Sequence, residues 1–593
     1  MSKSIHNNCN LTLLVSLVAI LMLLCAGSMA RAIETPADGE PRIWNATSID
    51  ATGGEMGIPP TPGPLGAIKI VGTVNGTASG QVVVSGAKAV SAVMGTLATA
   101  DGAKLPADAV TIRYAALQTD PTGGVYKFCN VLLDDPIAGA PVQPVWLTIT
   151  VPADAKGGTY VGTLALTVDG KITPVPVEYV VSPWKLPNMR DGKSFLGMYQ
   201  YIDAAANQYK VPMWSDPYWK LIEQEMKLMG CCGNDVWNVP AVAGTLACTS
   251  TSLIAFTKQG DDYVPDLTLF DKYAAIYDKN VGPPRVLSLH VWDGELENIN
   301  WFVDKTKPNP LSVMISKDGT YAMGSMPFYG DPGTEKAWTA TITAVRASMK
   351  KLGWDKTIVV FGKLNDGIPS ARVRDFFAKV APDTYWDMWS HHQPGPSTHG
   401  NAIGEKDGVR ILLAGQPGGK GWSQPLVPVQ GYAVLDGKHS VNTCSVRHNG
   451  LTTNGQPNLY RAAVDVSMRY QYECIGFNGI GFDLWQGRFG GGWFNLWRDN
   501  NQAVIAAGPK GPVSTVQYEA WIEGVQETEA RIVIEDAIVG KTISAELSKK
   551  ASDFMLERRA IRVTKKWEAG PNWQDITKRL FDLADEVTKA AKK

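Results

Sequence analysis

A polar pair, Asn365 and Asp366, follows closely on an apolar run at 358–361. The apolar run predicts a strand buried on both faces, and polar residues emerge where such a strand leaves the core. In barrel folds the functional groups lie at the carboxyl ends of the strands. A carboxylic acid placed there can exchange protons, and an amide can orient a ligand. Because Asn-Asp-Gly is also a strong turn signal, a turn without chemistry is an equal alternative.

Indole and imidazole rings form a second group near predicted strand ends. Its members are Trp292, Trp389, Trp485, Trp497, His391 and His392. The flat indole face suits the stacking of sugar rings, although core packing is the alternative for any single tryptophan. The two histidines offer hydrogen-bond groups for hydroxyls, with surface placement as the alternative. We expect these six residues to bind substrate.

No metal or cofactor site is expected. Neighbouring histidines on a strand point to opposite faces, which disfavours shared ligation of a metal by His391 and His392. No cysteine or histidine spacing typical of zinc is present, and no glycine-rich phosphate loop follows a predicted strand.

Composition narrows the class of protein. The chain has 593 residues, 45% of them hydrophobic. This length exceeds that of a domain with a single hydrophobic core, so we predict at least two domains. The 56 Lys+Arg residues balance 57 Asp+Glu residues. The chain therefore lacks the net positive charge typical of proteins that bind nucleic acid. The sequence leaves the oligomeric state open.

The first 32 residues are typical of a secretory signal peptide. Lys3 precedes an apolar run at 11–24, and the small residues Ala30 and Ala32 offer cleavage sites. The run is shorter than a membrane span. We therefore expect a mature chain that begins at Arg31 or Ile33, is secreted or periplasmic, and has no membrane anchor. Lipid attachment at Cys25 is disfavoured because Leu24 precedes it.

Hydrophobic periodicity divides the mature chain into segments. We expect a lead-in at 33–64, a β-sandwich at 65–185, a barrel domain at 186–540 and a helical extension at 541–593 packed on the barrel. Alternating runs with an Asp169-Gly170 turn favour an antiparallel sandwich, and the boundary falls near 183–187.

Strand and helix patterns alternate after that boundary. The candidate strands lie at 194–201, 230–240, 285–292, 357–365, 384–390, 409–414, 431–435 and 479–485. Eight strands with helices between many of them predict a TIM-like (β/α)8 barrel, with a doubly wound open sheet as the rival. The fold class expected is thus multidomain: β-sandwich, (β/α)8 barrel and helical extension.

Three segments resemble the glycoside hydrolase family 123-like proteins and related secreted proteins of unknown function. They are PVWLTITVPADAKGGTYVGT at 144–163, GIGFDLW at 479–485 and GPVSTVQYEAWIEGVQE at 511–527. The order of sandwich, barrel and helical tail is shared as well.

This resemblance implies hydrolysis of a β-linked N-acetylhexosamine in which the sugar's own acetamido oxygen attacks the anomeric carbon. The family's Asp-Glu pair corresponds to Asn365 and Asp366 in IVVFGKLNDG at 358–367. It implies that Asp366 is the general acid/base and that Asn365 orients the acetamido group. The alternative is a non-catalytic glycan-binding or structural protein of the cell envelope or extracellular matrix that has lost this pair.

Overall fold

The computed structural model describes most of the chain in separate ranges. They are residues 40–54, 63–119, 125–194, 196, 198, 200–243, 251–292, 310–363, 369–388, 411–413, 443–444, 456–469, 474–475, 481–484, 503–564 and 572–592. The predicted signal peptide and the predicted strand at 431–435 lie outside the described residues.

Two β-sheets form the N-terminal part. Their strands are β1 (Arg42–Thr47), β2 (Ile68–Val74), β3 (Thr77–Ser85), β4 (Val90–Met94), β5 (Val110–Thr119), β6 (Val125–Leu133), β7 (Val142–Thr150), β8 (Gly158–Val168) and β9 (Lys171–Lys185). One sheet has the order β1-β3-β7-β5-β6 and the other β2-β9-β8-β4. Side chains of both sheets share one core, in which Leu147 packs with Leu164 and Tyr179. All neighbours are antiparallel except β2 and β9.

Strand β1 corrects the expected lead-in at 33–64. Arg42–Thr47 pairs with β3, and Trp44 is buried against Val83. The glycine- and proline-rich composition around this strand obscures it in the sequence. The Asp169-Gly170 turn is confirmed: both residues have positive φ, 48° and 83°, and join β8 to β9.

The rest of the described chain mixes strands and helices. The strands are β10 (Val236–Pro240), β11 (Ala255–Gln259), β12 (Asp262–Asp266), β13 (Val286–Trp292), β14 (Leu311–Lys317), β15 (Thr320–Met326), β16 (Ile358–Lys363), β17 (Tyr385–Met388), β18 (Ile411–Leu413), β19 (Thr443–Cys444), β20 (Cys474–Ile475), β21 (Gly481–Leu484), β22 (Ala503–Gly508) and β23 (Gly511–Ser514). The helices are α1 (Ala204–Tyr209), α2 (Asp216–Cys232), α3 (Thr268–Asn280), α4 (Thr334–Lys351), α5 (Ala371–Val380), α6 (Pro457–Arg469), α7 (Val516–Val539), α8 (Ala545–Thr564) and α9 (Trp573–Ala591).

A parallel sheet with the order β10-β13-β16-β17-β18 lies at the centre of this part. Helices α3, α4 and α5 precede β13, β16 and β17, as α/β connections require. The closed (β/α)8 barrel is not confirmed. Within the described ranges the sheet is open, and the parallel pairs β19–β20 and β21–β22 stand in separate sheets.

Alternate residues of the parallel sheet face opposite layers. Trp237 of β10 stacks on Tyr277 of α3 with 5.1 Å between ring centroids, and Phe361 of β16 packs on Phe377 of α5 at 4.5 Å. These residues therefore face the helices. Their neighbours along each strand, including Asn238 and Gly362, face the opposite layer.

A four-stranded sheet adjoins the carboxyl-terminal edge of the parallel strands. Its order is β12-β11-β14-β15. The hairpin of β11 and β12 follows β10 in the chain, whereas β14 and β15 follow β13. Parallel strands end at the same edge of a sheet, so both hairpins begin at the carboxyl-terminal edge. In barrel enzymes the sites are built at this edge.

Helix α7 joins the N-terminal sheets to the α/β part. Its carboxylates accept hydrogen bonds from both sides: Glu523 from the backbone N–H of Ser79 at 2.8 Å, and Glu529 from that of Ser194 at 2.6 Å. Strand β1 is too short to pair with β3 at Ser79, so the glutamate satisfies that open edge. The helix is buried over most of its length.

Helix α9 belongs to the expected C-terminal extension and packs on two parts of the chain. It lies on α7, which falls within the predicted barrel segment at 186–540, and on the sheet of β2 and β9. Phe581 stacks on Trp184 of β9 with ring centroids 5.8 Å apart, and Asp582 accepts a hydrogen bond from Ser182 at 2.9 Å. The apolar stripe of α9 was visible in the sequence, but its partner surface was not. No helix among the described residues is long and apolar enough to cross a membrane.

Phe581→Ala should destabilise the protein by about 3–5 kcal/mol, because the 2%-exposed ring leaves a cavity between α9 and β9. Leu556→Ala on α8 is the matched control, since that side chain is 56% exposed and its loss should cost about 0.5 kcal/mol or less. Urea unfolding measures both. Equal losses for the two variants would contradict the assigned packing of α9.

Candidate functional site

A row of buried polar side chains crosses the parallel sheet on the face opposite the helices. In register, Asn238 of β10 lies beside Ser288 of β13, and His290 of β13 lies beside Gly362 of β16. Asn238, Ser288 and His290 are 5%, 0% and 2% exposed. Three polar groups in otherwise apolar strands carry a desolvation cost, so a specific role is expected.

His290 and Asn238 form the central hydrogen bond of this row. The imidazole Nε2 lies 3.1 Å from the Asn238 carbonyl Oδ1. Because that oxygen only accepts, Nε2 carries the proton. Burial lowers the pKa of His290 to about 3, so the ring is neutral at physiological pH.

Gly362 provides the space in which the His290 ring lies. A Cβ at Gly362 would come within 2.2 Å of His290 Cδ2 and 2.3 Å of Ser288 Oγ. No side chain can be added there without displacing the row. Glycine at this position therefore allows β13 side chains to cross over β16.

A buried acid lies on the other side of the sheet. Glu225 of α2 accepts a hydrogen bond from Gln200, and Tyr273 of α3 donates to Gln200. Burial raises the pKa of Glu225 to about 8, which keeps it protonated at neutral pH. Tyr273 stacks on Trp237 at 5.8 Å, so this cluster belongs to the helix layer and does not face the polar row.

Most of the residues predicted to form the site lie outside the described residues. They are Asn365, Asp366, Trp389, His391, His392, Trp485 and Trp497. Trp292 is described: it ends β13 and is 1% exposed within the main core. Its burial supports the packing alternative, and its role as a sugar contact stays a prediction. Among the described residues, no group of three metal-ligating side chains is present.

The sequence reasoning missed Asn238, Ser288 and His290. A signal was available, because VLSLHVW at 286–292 and VWNVP at 236–240 place polar residues at alternate positions of apolar strands. Such a pattern indicates one polar face within a buried sheet.

Residues 199–384 match the family model for the catalytic domain of glycoside hydrolase 123. The range begins before α1 and ends just before β17, and so includes the polar row and the end of β16. A family 123 glycoside hydrolase from Clostridium perfringens, solved in a study of glycolipid glycan hydrolysis, shares the fold. The two have a TM-score of 0.58 and 11% identity over 93% of this chain and 98% of that one.

The chain resembles the family 123 glycoside hydrolases. This confirms the resemblance noted in the sequence and is consistent with glycoside hydrolase activity on glycans. A putative alpha-galactosidase from Bacteroides fragilis overlaps only loosely, with a TM-score of 0.16 and 10% identity over 60% of this chain and 53% of that one. No curated protein matches the sequence.

Proposed function

We propose that this protein is a secreted hydrolase of β-linked N-acetylhexosaminides that uses substrate assistance. The observation that carries the proposal is the family 123 match at 199–384, which spans β10, β13 and β16. Asn365 and Asp366 follow the end of β16 by two and three residues, where the family has its catalytic pair. The cleaved signal peptide expected at 1–32 supports a secreted or periplasmic location.

In the proposed reaction Asp366 protonates the departing glycosidic oxygen as its bond to the anomeric carbon breaks. The acetamido oxygen of the same sugar forms the new bond to that carbon, and Asn365 orients the acetamido group by hydrogen bonding. Water then attacks the anomeric carbon of the cyclic intermediate and opens it, while the Asp366 carboxylate takes the water's proton. The sugar leaves with retained configuration.

Purified protein should release the chromophore from a 4-nitrophenyl β-N-acetylgalactosaminide or β-N-acetylglucosaminide. The matched control is the β-galactoside or β-glucoside, whose 2-hydroxyl cannot replace the acetamido nucleophile and which should not react. Equal cleavage of both pairs would contradict substrate assistance. Glycan binding without any turnover would favour the non-catalytic alternative.

A further inference from the structure

The His290 ring contacts the strands on both sides of its own. Toward β10 its Nε2 donates to Asn238 Oδ1 at 3.1 Å. Toward β16 its Cδ2 occupies the space in which a Cβ of Gly362 would lie, only 2.2 Å away. One side chain thus spans three neighbouring strands, β10, β13 and β16.

We propose that His290 is a positioning residue that fixes the end of β16 relative to β10. This proposal rests on the proposed function, because β16 leads directly to Asn365 and Asp366 in the sequence. A misplacement of about 1 Å at reacting groups can cost about 100-fold in rate, so a strand that carries an acid must be held in place. Asn238 connects His290 to β10 by a hydrogen bond.

The neutral state of His290 matters for the proposed chemistry. Substrate assistance develops positive charge on the acetamido-derived ring, and a buried imidazolium at the same sheet edge would oppose it. The described neighbours that face His290 from β10 and β16, Asn238 and Gly362, are uncharged, as is Ser288 on its own strand. Burial keeps the ring neutral because its pKa falls to about 3.

Asn238→Asp tests whether the ring must be neutral, because it gives His290 a carboxylate partner in place of the amide. An adjacent anion favours the charged ring and raises the pKa of His290. Below the new pKa the ring is an imidazolium, so kcat should fall about tenfold for each pH unit below that midpoint, with KM unchanged. NMR of ¹³C-labelled histidine in the same variant should show His290 titrating at the same midpoint. The wild type should show neither effect near that midpoint.

Asn207→Asp is the matched control, because Asn207 is exposed on α1 and the variant adds the same charge away from the row. Its pH profile should follow the wild type. Turnover by Asn238→Asp with a wild-type pH profile, although NMR shows His290 titrating, would overturn the inferred need for a neutral ring and leave the proposed function intact. A wild type without turnover on any N-acetylhexosaminide would instead remove the proposed function.

A double-mutant cycle tests the packing without any substrate. Gly362→Ala should lower the urea midpoint strongly in the wild type, because its Cβ meets the His290 ring, and much less in a His290→Ala background. The remaining contact, Ser288 Oγ, is a small group that can rotate away. Equal losses in both backgrounds would show that His290 does not hold β16 and would overturn the proposal. His290→Gln, which keeps a donor for Asn238, should retain more activity than His290→Ala.

Discussion

Asp366→Asn should abolish turnover of N-acetylhexosaminides, with a loss of about 100- to 10,000-fold in kcat. The amide keeps the size and hydrogen-bonding capacity of the side chain but has no proton to give to the leaving oxygen. Because the amide is the same size as the carboxylate, the substitution should leave the free energy of unfolding nearly unchanged. Steady-state kinetics on the best chromogenic substrate, together with the urea midpoint, measure both effects.

Asp375→Asn is the control for this substitution. Asp375 is exposed on α5, the helix that follows Asp366 in the chain, and its loss should leave kcat unchanged. Asn365→Asp should act in the opposite direction and raise turnover, because a carboxylate stabilises the positive charge on the acetamido group. Electrostatic stabilisation of this kind is worth roughly 2.7–4 kcal/mol. Wild-type rates in Asp366→Asn would exclude Asp366 as the acid.

The sequence predicted those elements whose signals are local. The apolar run before Asn365 predicts a strand at 357–365, and β16 occupies Ile358–Lys363; the pattern at 285–292 likewise matches β13, Val286–Trp292. A parallel strand is buried on both faces and therefore consists of consecutive apolar residues. Such a run indicates both the presence and the length of the strand. The Asp169-Gly170 hairpin is local in the same sense, since two residues that accept positive φ determine it.

Features that depend on the relative position of distant segments could not be predicted. Ser288 and His290 become a polar row only when β13 takes its register beside β10 and β16, and register is a property of pairs of strands. The closed barrel is a similar case, because counting strands does not determine whether their sheet closes. Helix α7 carries glutamates that a surface helix would expose, and the donors that make their burial tolerable come from β3 and α6.

Glu527→Gln should destabilise the protein by about 3–5 kcal/mol, because it weakens a buried network of ion pairs. The carboxylate of Glu527 on α7 accepts from Arg461 of α6 at 2.8 Å, from Arg558 of α8 at 3.1 Å and from Thr577 of α9 at 2.6 Å. Glu527 and Arg461 are each 3% exposed and Arg558 is 4% exposed, so water cannot replace a lost partner.

The glutamine has nearly the same shape but no charge, so Arg461 keeps only Glu523 and Arg558 keeps only Asp465 as a buried carboxylate partner. Asp553→Asn is the control, because it removes an exposed ion pair on α8. Asp553 is 60% exposed and its partner Lys549 is 76% exposed, so the pair is worth about 0.3–0.5 kcal/mol. Urea unfolding followed by tryptophan fluorescence compares the two. A Glu527→Gln midpoint close to that of Asp553→Asn would mean that α6, α8 and α9 are held to α7 by apolar packing alone. A large loss would place the buried charges of α7 among the interactions that join the C-terminal helices to the α/β part.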